Sequence, residues 1–235
     1  MSHPERIVPD ETEPGIVALH LKRYEFARPH CERKAVLDAG CGVGYGSSYL
    51  GLVAERVLGV DADADAIAYA RERYGTDNVE FAIGDVTALV HDDAAFDVMC
   101  AFEVVEHLAD PERFVAEARR VLREDGVLLV STPRAGTTRD NPFHEREYTA
   151  DELTRLLQKR FRRVAVYGQR RVRTARHRAL QRLDVLGLRR RLPLVRRVSR
   201  VVTGTASMDA VSLDAVEISA DGLDEATELV AVCRP

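Results

Sequence analysis

Four sets of residues in this sequence have types and spacings that can do chemistry. The first is Asp38-x-Gly40-x-Gly42-x-Gly44, inside residues 35–50 (AVLDAGCGVGYGSSYL). The second is Asp61, at the end of the apolar run VLGV, and the third is Asp85, in Gly84-Asp85-Val86 after VEFAI. The fourth is Glu103-Val-Val-Glu106-His107, with His144 further on in NPFHEREY. Glycines that follow a short apolar strand and precede a helix form the first βα turn of a nucleotide-binding sheet. Glycine there lets the backbone turn sharply and lets a ligand approach where a Cβ would stand. The dinucleotide pattern G-x-G-x-x-G needs a third glycine at 45 or 47, and Tyr45 and Ser47 occupy those places. No Gly-Lys-Ser/Thr follows, so the phosphate-cradling P-loop is excluded as well. An acid at 38 opposes a pyrophosphate and suits a ligand that carries an ammonium group.

Asp61 lies 21 residues after Gly40, close to the spacing of about 20 at which such sheets hold a ribose. A carboxylate there can accept two hydrogen bonds from a ribose diol. The competing role is N-cap of the next helix, and Asp65 can serve as that cap instead. Asp85, just past the third strand, is placed to reach the exocyclic amine of an adenine, with Val86 beside the ring. Its plainer role is that of a turn aspartate. His107 and His144 follow the fourth and fifth strands, at the sheet edge where open α/β folds bind ligands. Both are candidate general bases for a hydroxyl. Either can instead be structural, with His107 orienting its loop and His144 paired with Glu147. Glu103 is placed to line the pocket.

Strands are expected at 57–60, 79–83, 96–102, 127–130, 163–169 and 228–233, after the first at 36–37. Helices are expected at 15–28, after Asp65, at PERFVAEARRVL from Pro111, and after the capping box Thr149-Ala-Asp-Glu152. Strands and helices alternate, which argues for a mostly parallel sheet with helices on both faces.

The segments VLDAGCGVGYG, VLGVDADADAIAYA, FAIGDV, FDVMCAFEVVEHLADPERFVAEARRVLREDGVLLVSTP and NPFHEREYTADELTRLL follow one another in order. The chain thereby resembles the class I S-adenosylmethionine-dependent methyltransferases, over roughly residues 16–169 and the last strand. The likeness is to the branch with ubiquinone-type O-methyltransferases and many glycan-modifying enzymes. One departure is REDG, where that family more often has a Gly-Gly turn. The resemblance implies a Rossmann-like, doubly wound, seven-stranded α/β sheet whose last strand lies antiparallel between strands five and six. It implies S-adenosyl-L-methionine as cofactor, held by Tyr24, Asp38, Gly40, Cys41, Gly42, Gly44, Asp61, Ala62, Asp85, Val86 and Glu103. His107 and His144 are carried over as catalytic, and His20-x-x-Arg23-Tyr24 is similar to N-terminal helices that fold over the cofactor. The implied reaction is methylation of a small molecule or glycan at a hydroxyl. No Asn-Pro-Pro-Tyr motif and no catalytic cysteine pair is present, which counts against nucleic acid. RNA methylation and a non-catalytic cofactor-binding partner subunit stand as alternatives.

The domain organisation expected is a disordered stretch over 1–14, a methyltransferase domain over 15–169 and 224–235, and an insertion over 170–223. The 235 residues are 46% hydrophobic, with a net charge of −4. Residues 170–202 hold twelve arginines against one acid, Asp184, and residues 203–233 hold seven acids and no base. Leu180, Leu183 and Leu186, then Val195, Val198 and Val202, mark two short basic amphipathic helices. Their arginines have three readings: pairing with the chain's own acids, an anion-binding lid, or contact with a membrane surface through 174–202. Cys31, Cys41, Cys100 and Cys233 form no C-x-x-C pair, so neither disulfides nor a cysteine zinc site is indicated, and a reducing, cytoplasmic setting is expected. The N-terminus lacks the apolar core of a signal peptide. No run of about 18 apolar residues exists.

Overall fold

The computed structural model describes residues 6–137, 141–171 and 213–235. Helix α1 (Pro14–Cys31) precedes β1 (Ala35–Ala39), α2 (Tyr45–Gly51), β2 (Arg56–Asp61), α3 (Ala64–Tyr74), β3 (Val79–Ile83) and β4 (Phe96–Phe102). Then come α4 (Pro111–Val121), β5 (Leu122–Pro133), α5 (Ala150–Leu157), β6 (Arg163–Arg171), β7 (Val216–Ser219) and β8 (Glu228–Arg234). All eight strands form one sheet in the order β3-β2-β1-β4-β5-β8-β6-β7. The first five pair in parallel. Strand β8 is antiparallel to both β5 and β6. The order reverses between β1 and β4, so a crevice opens there at the carboxyl ends of the strands.

The sequence dictates this layering through its period of two. Leu37, Met99, Ala101, Leu128 and Val130 point to one face, where they pack with Phe114, Val115 and Ala118 of α4 and Leu153 and Leu157 of α5. Val36, Val98, Cys100, Val127 and Leu129 point to the other, against Tyr24, Ala27 and Cys31 of α1 and Ile67 and Ala70 of α3. All five residues of β1 are buried, as expected of a central strand covered on both sides. The four cysteines are buried and free.

Three features differ from the sequence expectation. The sheet has eight strands, not seven. The added strand, β7, is four residues of the acidic segment (VEIS) paired antiparallel with the end of β6. It is short and half-polar, so its pattern does not separate it from loop. The REDG stretch is an outward bulge on β5: pairing with β4 jumps from Phe96–Leu122 to Val98–Val127. The cap of α3 is Asp63, not Asp65, since the Asp63 carboxylate accepts from the backbone N–H groups of Asp65 and Ala66.

Residues 6–13, within the stretch read as disordered, lie against the body of the domain. Val8 is buried, and Arg6 pairs with Asp63 at 2.8 Å. The basic helices read into 174–202 lie outside the described residues. Of the twelve arginines, Arg170 pairs across the β6–β7 edge with Glu217 at 3.2 Å and with Glu225 at 3.6 Å. No helix among the described residues is long and apolar enough to cross a membrane.

Candidate active site

A cavity of about 730 Å³ opens at the carboxyl ends of the parallel strands. One end is built by the turns that follow β1, β2 and β3. On leaving β1, the chain bonds across to β2: the N–H groups of Gly40 and Cys41 both donate to the Val60 carbonyl. Gly40, Gly42 and Gly44 all have positive φ, a conformation open to glycine and strained for other residues. They do different jobs. A Cβ on Gly40 would lie 2.4 Å from Val104 Cγ2, and one on Gly44 would strike Phe81 and Ala70. A Cβ on Gly42 would meet nothing within 4 Å, because that side of Gly42 faces the cavity. Gly42 is thus the position where a ligand can come against the backbone.

Asp61 fixes this turn. Its Oδ2 accepts the Gly42 N–H at 2.9 Å and its Oδ1 accepts the Asp63 N–H at 2.9 Å. A carboxylate has about four lone-pair sites, so two remain for a ligand's hydroxyls. Asp85 lies in the next turn and also lines the cavity, beside Val86. Its Oδ1 accepts from both the backbone and the hydroxyl of Thr87, and these bonds hold its carboxyl below the usual range. Asp85 is therefore a turn aspartate and a cavity residue at once.

Asp38 has a different position. It is fully buried and does not line the cavity. Ser47 Oγ donates to it at 2.6 Å, and the Tyr24 hydroxyl reaches both its oxygens at 3.3 Å. Burial pushes its carboxyl up to about 7, against the opposing effect of the Ser47 and Tyr24 bonds. Its task here is to tie α1 and α2 beneath the glycine turn. Gly44 likewise stands behind the wall, whereas Tyr24, Cys41, Ala62 and Glu103 face the cavity.

Helix α1 contributes His20, Arg23 and Tyr24 to the cavity wall. Arg23 is 1% exposed; its guanidinium meets His20 Nδ1 at 2.9 Å, Gln169 Oε1 at 3.4 Å and Glu103 at 3.8 Å. A buried guanidinium needs compensation, and Glu103 and Glu228 supply negative charge. Its Nε has no partner. Glu103 has φ +56, a strained backbone for this residue type and one that clusters at functional sites. Ser131 holds it there, accepting the Glu103 N–H at 3.1 Å and donating its hydroxyl to Oε1 at 2.7 Å.

At the far end, the turn after β4 meets the loop after β5. The Glu106 carbonyl accepts from the N–H groups of Glu145 and Arg146. The rings of His107 and His144 stand edge to face with centroids 5.1 Å apart. His107 Nδ1 lies 2.9 Å from the Phe143 carbonyl. A carbonyl only accepts, so Nδ1 carries a proton in this arrangement. Asn141 Nδ2 sits 2.9 Å from His144 Nε2. Glu106 is 1% exposed, and burial, with Glu103 nearby, drives its carboxyl well above the usual range.

Arg23 and Glu106 are the main site residues outside the predicted set. Both were visible beside named positions, Arg23 next to Tyr24 and Glu106 next to His107, but nothing local says they face inward. Gln169 and Glu228 come from β6 and β8 and have no sequence signal tying them to the cavity.

A glycine turn with one open glycine, acids at the ends of β2 and β3, and a reversed last strand between β5 and β6 define a Rossmann-like methyltransferase fold. Comparison with known proteins agrees. Residues 37–130 match the family model described as a methyltransferase domain. Over 160 residues the chain is 44% identical to a probable S-adenosylmethionine-dependent methyltransferase of Mycobacterium tuberculosis (strain CDC 1551 / Oshkosh), covering 65% of this chain and 58% of that protein. Over 106 residues it is 31% identical to a ubiquinone biosynthesis O-methyltransferase of Glaesserella parasuis serovar 5 (strain SH0165), covering 42% and 45%. The chain thus spans less than two thirds of these relatives. The fold is shared with a SAM-dependent methyltransferase of Thermotoga maritima, a possible histamine N-methyltransferase, at TM-score 0.65 and 17% identity over 96% and 95% of the two chains. Residues 37–130 thus have the likeness of a methyltransferase domain, and the first of these relatives is named for S-adenosylmethionine as its methyl donor.

The residues present fit that cofactor. Gly42 leaves room at the backbone, and Asp61 and Asp85 offer acceptors at the ends of adjacent strands. The excess of acids over bases around the cavity suits a sulfonium cation, and the partnerless Nε of Arg23 suits a carboxylate.

Proposed function

We propose that this chain is a methyltransferase that moves a methyl group from S-adenosylmethionine to a hydroxyl oxygen of a small molecule or glycan. The observation that carries the reading is one cavity with the Gly42–Asp61–Asp85 wall at one end and the His107–His144 pair at the other. The cofactor supplies an activated methyl on a sulfonium, so the protein's work is placement and proton removal. Asp61 accepts from the ribose diol, Asp85 from the adenine amine, and Tyr24, Arg23 and Glu103 enclose the amino-acid end. His107 takes the proton from the acceptor hydroxyl through Nε2. His144 packs against it and closes that end of the cavity. The O-methyltransferase relative supports oxygen as the nucleophile. Residues 15–169 and 224–235 form the catalytic domain in this reading, with 170–223 as an insertion that returns Val216–Ser219 to the sheet edge. A peripheral membrane contact through 174–202 remains part of the proposal for a lipid-linked acceptor.

Titration calorimetry with S-adenosylmethionine tests the first half. Binding in the micromolar range is expected, and no binding at millimolar cofactor would refute the reading. Incubating cell extract with methyl-labelled cofactor and the protein tests the second half. Label in a small-molecule or glycan fraction is expected. Label in RNA would move the reading to the RNA alternative. Cofactor binding without transfer to any fraction would favour a non-catalytic partner subunit.

A further inference from the structure

The cysteines offer no metal site, but the acceptor end of the cavity does. Glu106, His107 and His144 each present one ligand atom, and these three atoms lie within 4.8 Å of one another. Two ligands on one cation with bonds of about 2.0–2.2 Å stand about 3.3–4.4 Å apart, so a small rotation of the side chains closes the rest of that spread. We infer that Glu106, His107 and His144 form a binding site for one divalent transition-metal cation of the zinc, cobalt or manganese kind.

Two observations beyond the clustering point to a ligand. First, Glu106 is 1% exposed, and neither of its carboxylate oxygens has a hydrogen-bond partner. Thr132 lies near it without completing a hydrogen bond, and its hydroxyl also has no partner. A buried carboxyl left in this way costs stability unless something binds it. Second, the Phe143 carbonyl accepts from His107 Nδ1 at 2.9 Å, so Nε2 is the nitrogen of that ring that can ligate. Metal-ligating histidines are held in this manner by outer groups that fix the ring. The two halves of the site are also fastened to each other, since the Glu106 carbonyl accepts from Glu145 and Arg146.

Two imidazoles and one carboxylate form a donor set suited to zinc-like ions rather than to magnesium or calcium, which prefer all-oxygen shells. Three protein ligands leave coordination positions open toward the cavity, as in catalytic rather than structural sites. An acceptor hydroxyl entering such a position loses its proton more readily. This deepens the proposed function and changes one step of it: with the cation bound, His107 is a ligand rather than the base, and the hydroxyl's proton passes to water. That use rests on the methyltransferase reading, but cation binding itself does not.

The test is Co2+ binding to the full chain after dialysis against chelator, read by calorimetry and by the visible d–d absorption of bound cobalt, with S-adenosylmethionine titrated separately into the metal-free protein. One equivalent of Co2+ is expected, with an absorption band that Zn2+ displaces. Glu106→Gln and His107→Ala should each weaken Co2+ binding by roughly 100-fold while cofactor affinity and the circular dichroism spectrum stay unchanged. His107 is only partly buried, so His107→Ala tests the site even if Glu106→Gln does not fold. The inference is overturned if wild type takes up no stoichiometric Co2+, or if His107→Ala binds it as tightly as wild type. Failure of cofactor binding with intact Co2+ binding would instead sink the methyltransferase reading and leave the metal site standing.

Discussion

The two ends of the cavity are assembled on different plans. The end formed by the turns after β1, β2 and β3 uses residues that each follow their own strand, and its internal bonds are short-range in space and regular in the chain. Gly40 and Cys41 bond Val60, Gly42 bonds Asp61, and Asp61 bonds Asp63. The other end joins a turn after β4 to a loop after β5. His107 meets His144 across 37 positions. The first plan repeats one structural unit and so constrains what it can bind. The second depends on loops whose length and content can change without disturbing the sheet. A fold of this kind can keep one ligand fixed while varying the other.

If that contrast holds, the largest single effect should come from Asp61, which both shapes the turn and faces the cavity. Hydrogen bonds to a charged group are worth about 1.5–3 kcal/mol each. Loss of two should weaken S-adenosylmethionine binding by about 100-fold or more in Asp61→Ala. Near-normal affinity by calorimetry would break the assignment of that end to the cofactor.

Asp38 sharpens the comparison because it belongs to the same turn yet faces away from the cavity. Its carboxyl is raised from 3.8 to about 7 by burial. A raised pKa means that folding favours the protonated form. The associated stability is fully present below about pH 4 and is lost as pH rises through about 7. At about 1.4 kcal/mol per unit, the total is roughly 4 kcal/mol. Asn at 38 keeps an acceptor for Ser47 and Tyr24 but cannot ionise. Asp38→Asn should therefore gain on wild type by about 2–3 kcal/mol between pH 5 and pH 8 in urea unfolding. Parallel pH curves would show that Asp38 is not the titrating group. A tenfold loss of cofactor affinity would place Asp38 in contact with the ligand after all.

The same contrast explains what could be read in the chain beforehand. Strands β3 and β4 were placed to the residue, and the reversed β8 was expected where it lies, because period-two apolar runs and turn residues are local signals. Asp61 and Asp85 were legible as positions on the cavity wall because strand ends repeat at a regular spacing. Asp38 was legible as a position but not as a role: its distance from the cavity depends on Tyr24 and Ser47 closing over it. Strand β7 was missed because four residues of mixed polarity gain strand structure only by pairing with β6. Glu106 was missed because its neighbour His107 is the better-known kind of catalytic residue, and only the packed fold shows that the Glu106 carboxyl has no partner.

Two glycines of one turn allow a finer separation. Gly40→Ala brings a Cβ to 2.4 Å from Val104 Cγ2 at φ +73, so it should lower thermal stability by about 2–3 kcal/mol, as overpacking does. Gly42→Ala faces open cavity at φ +54, so it should cost only the left-handed strain of about 1–2 kcal/mol. Its larger effect should be on the cofactor, with affinity down about tenfold. Equal effects of the two on affinity would mean that the turn deforms as a unit and that Gly42 has no special approach role.

The smallest expected effect is the most direct test of separateness. His107→Ala and His144→Ala, alone or together, remove side chains that bond Phe143 and Asn141, whereas Gly42 and Asp61 bond each other and Asp85 bonds Thr87. Sites without shared partners combine within about 0.5 kcal/mol, so S-adenosylmethionine affinity should change by no more than about twofold in either variant or in both. Because both rings are partly buried rather than in the core, the fold should survive for the measurement. A tenfold loss would show that the acceptor end reaches the cofactor, by way of Glu103 and Arg23. The double variant combined with Asp61→Ala then decides the matter: additive losses keep the two ends independent, and a non-additive result makes them one site.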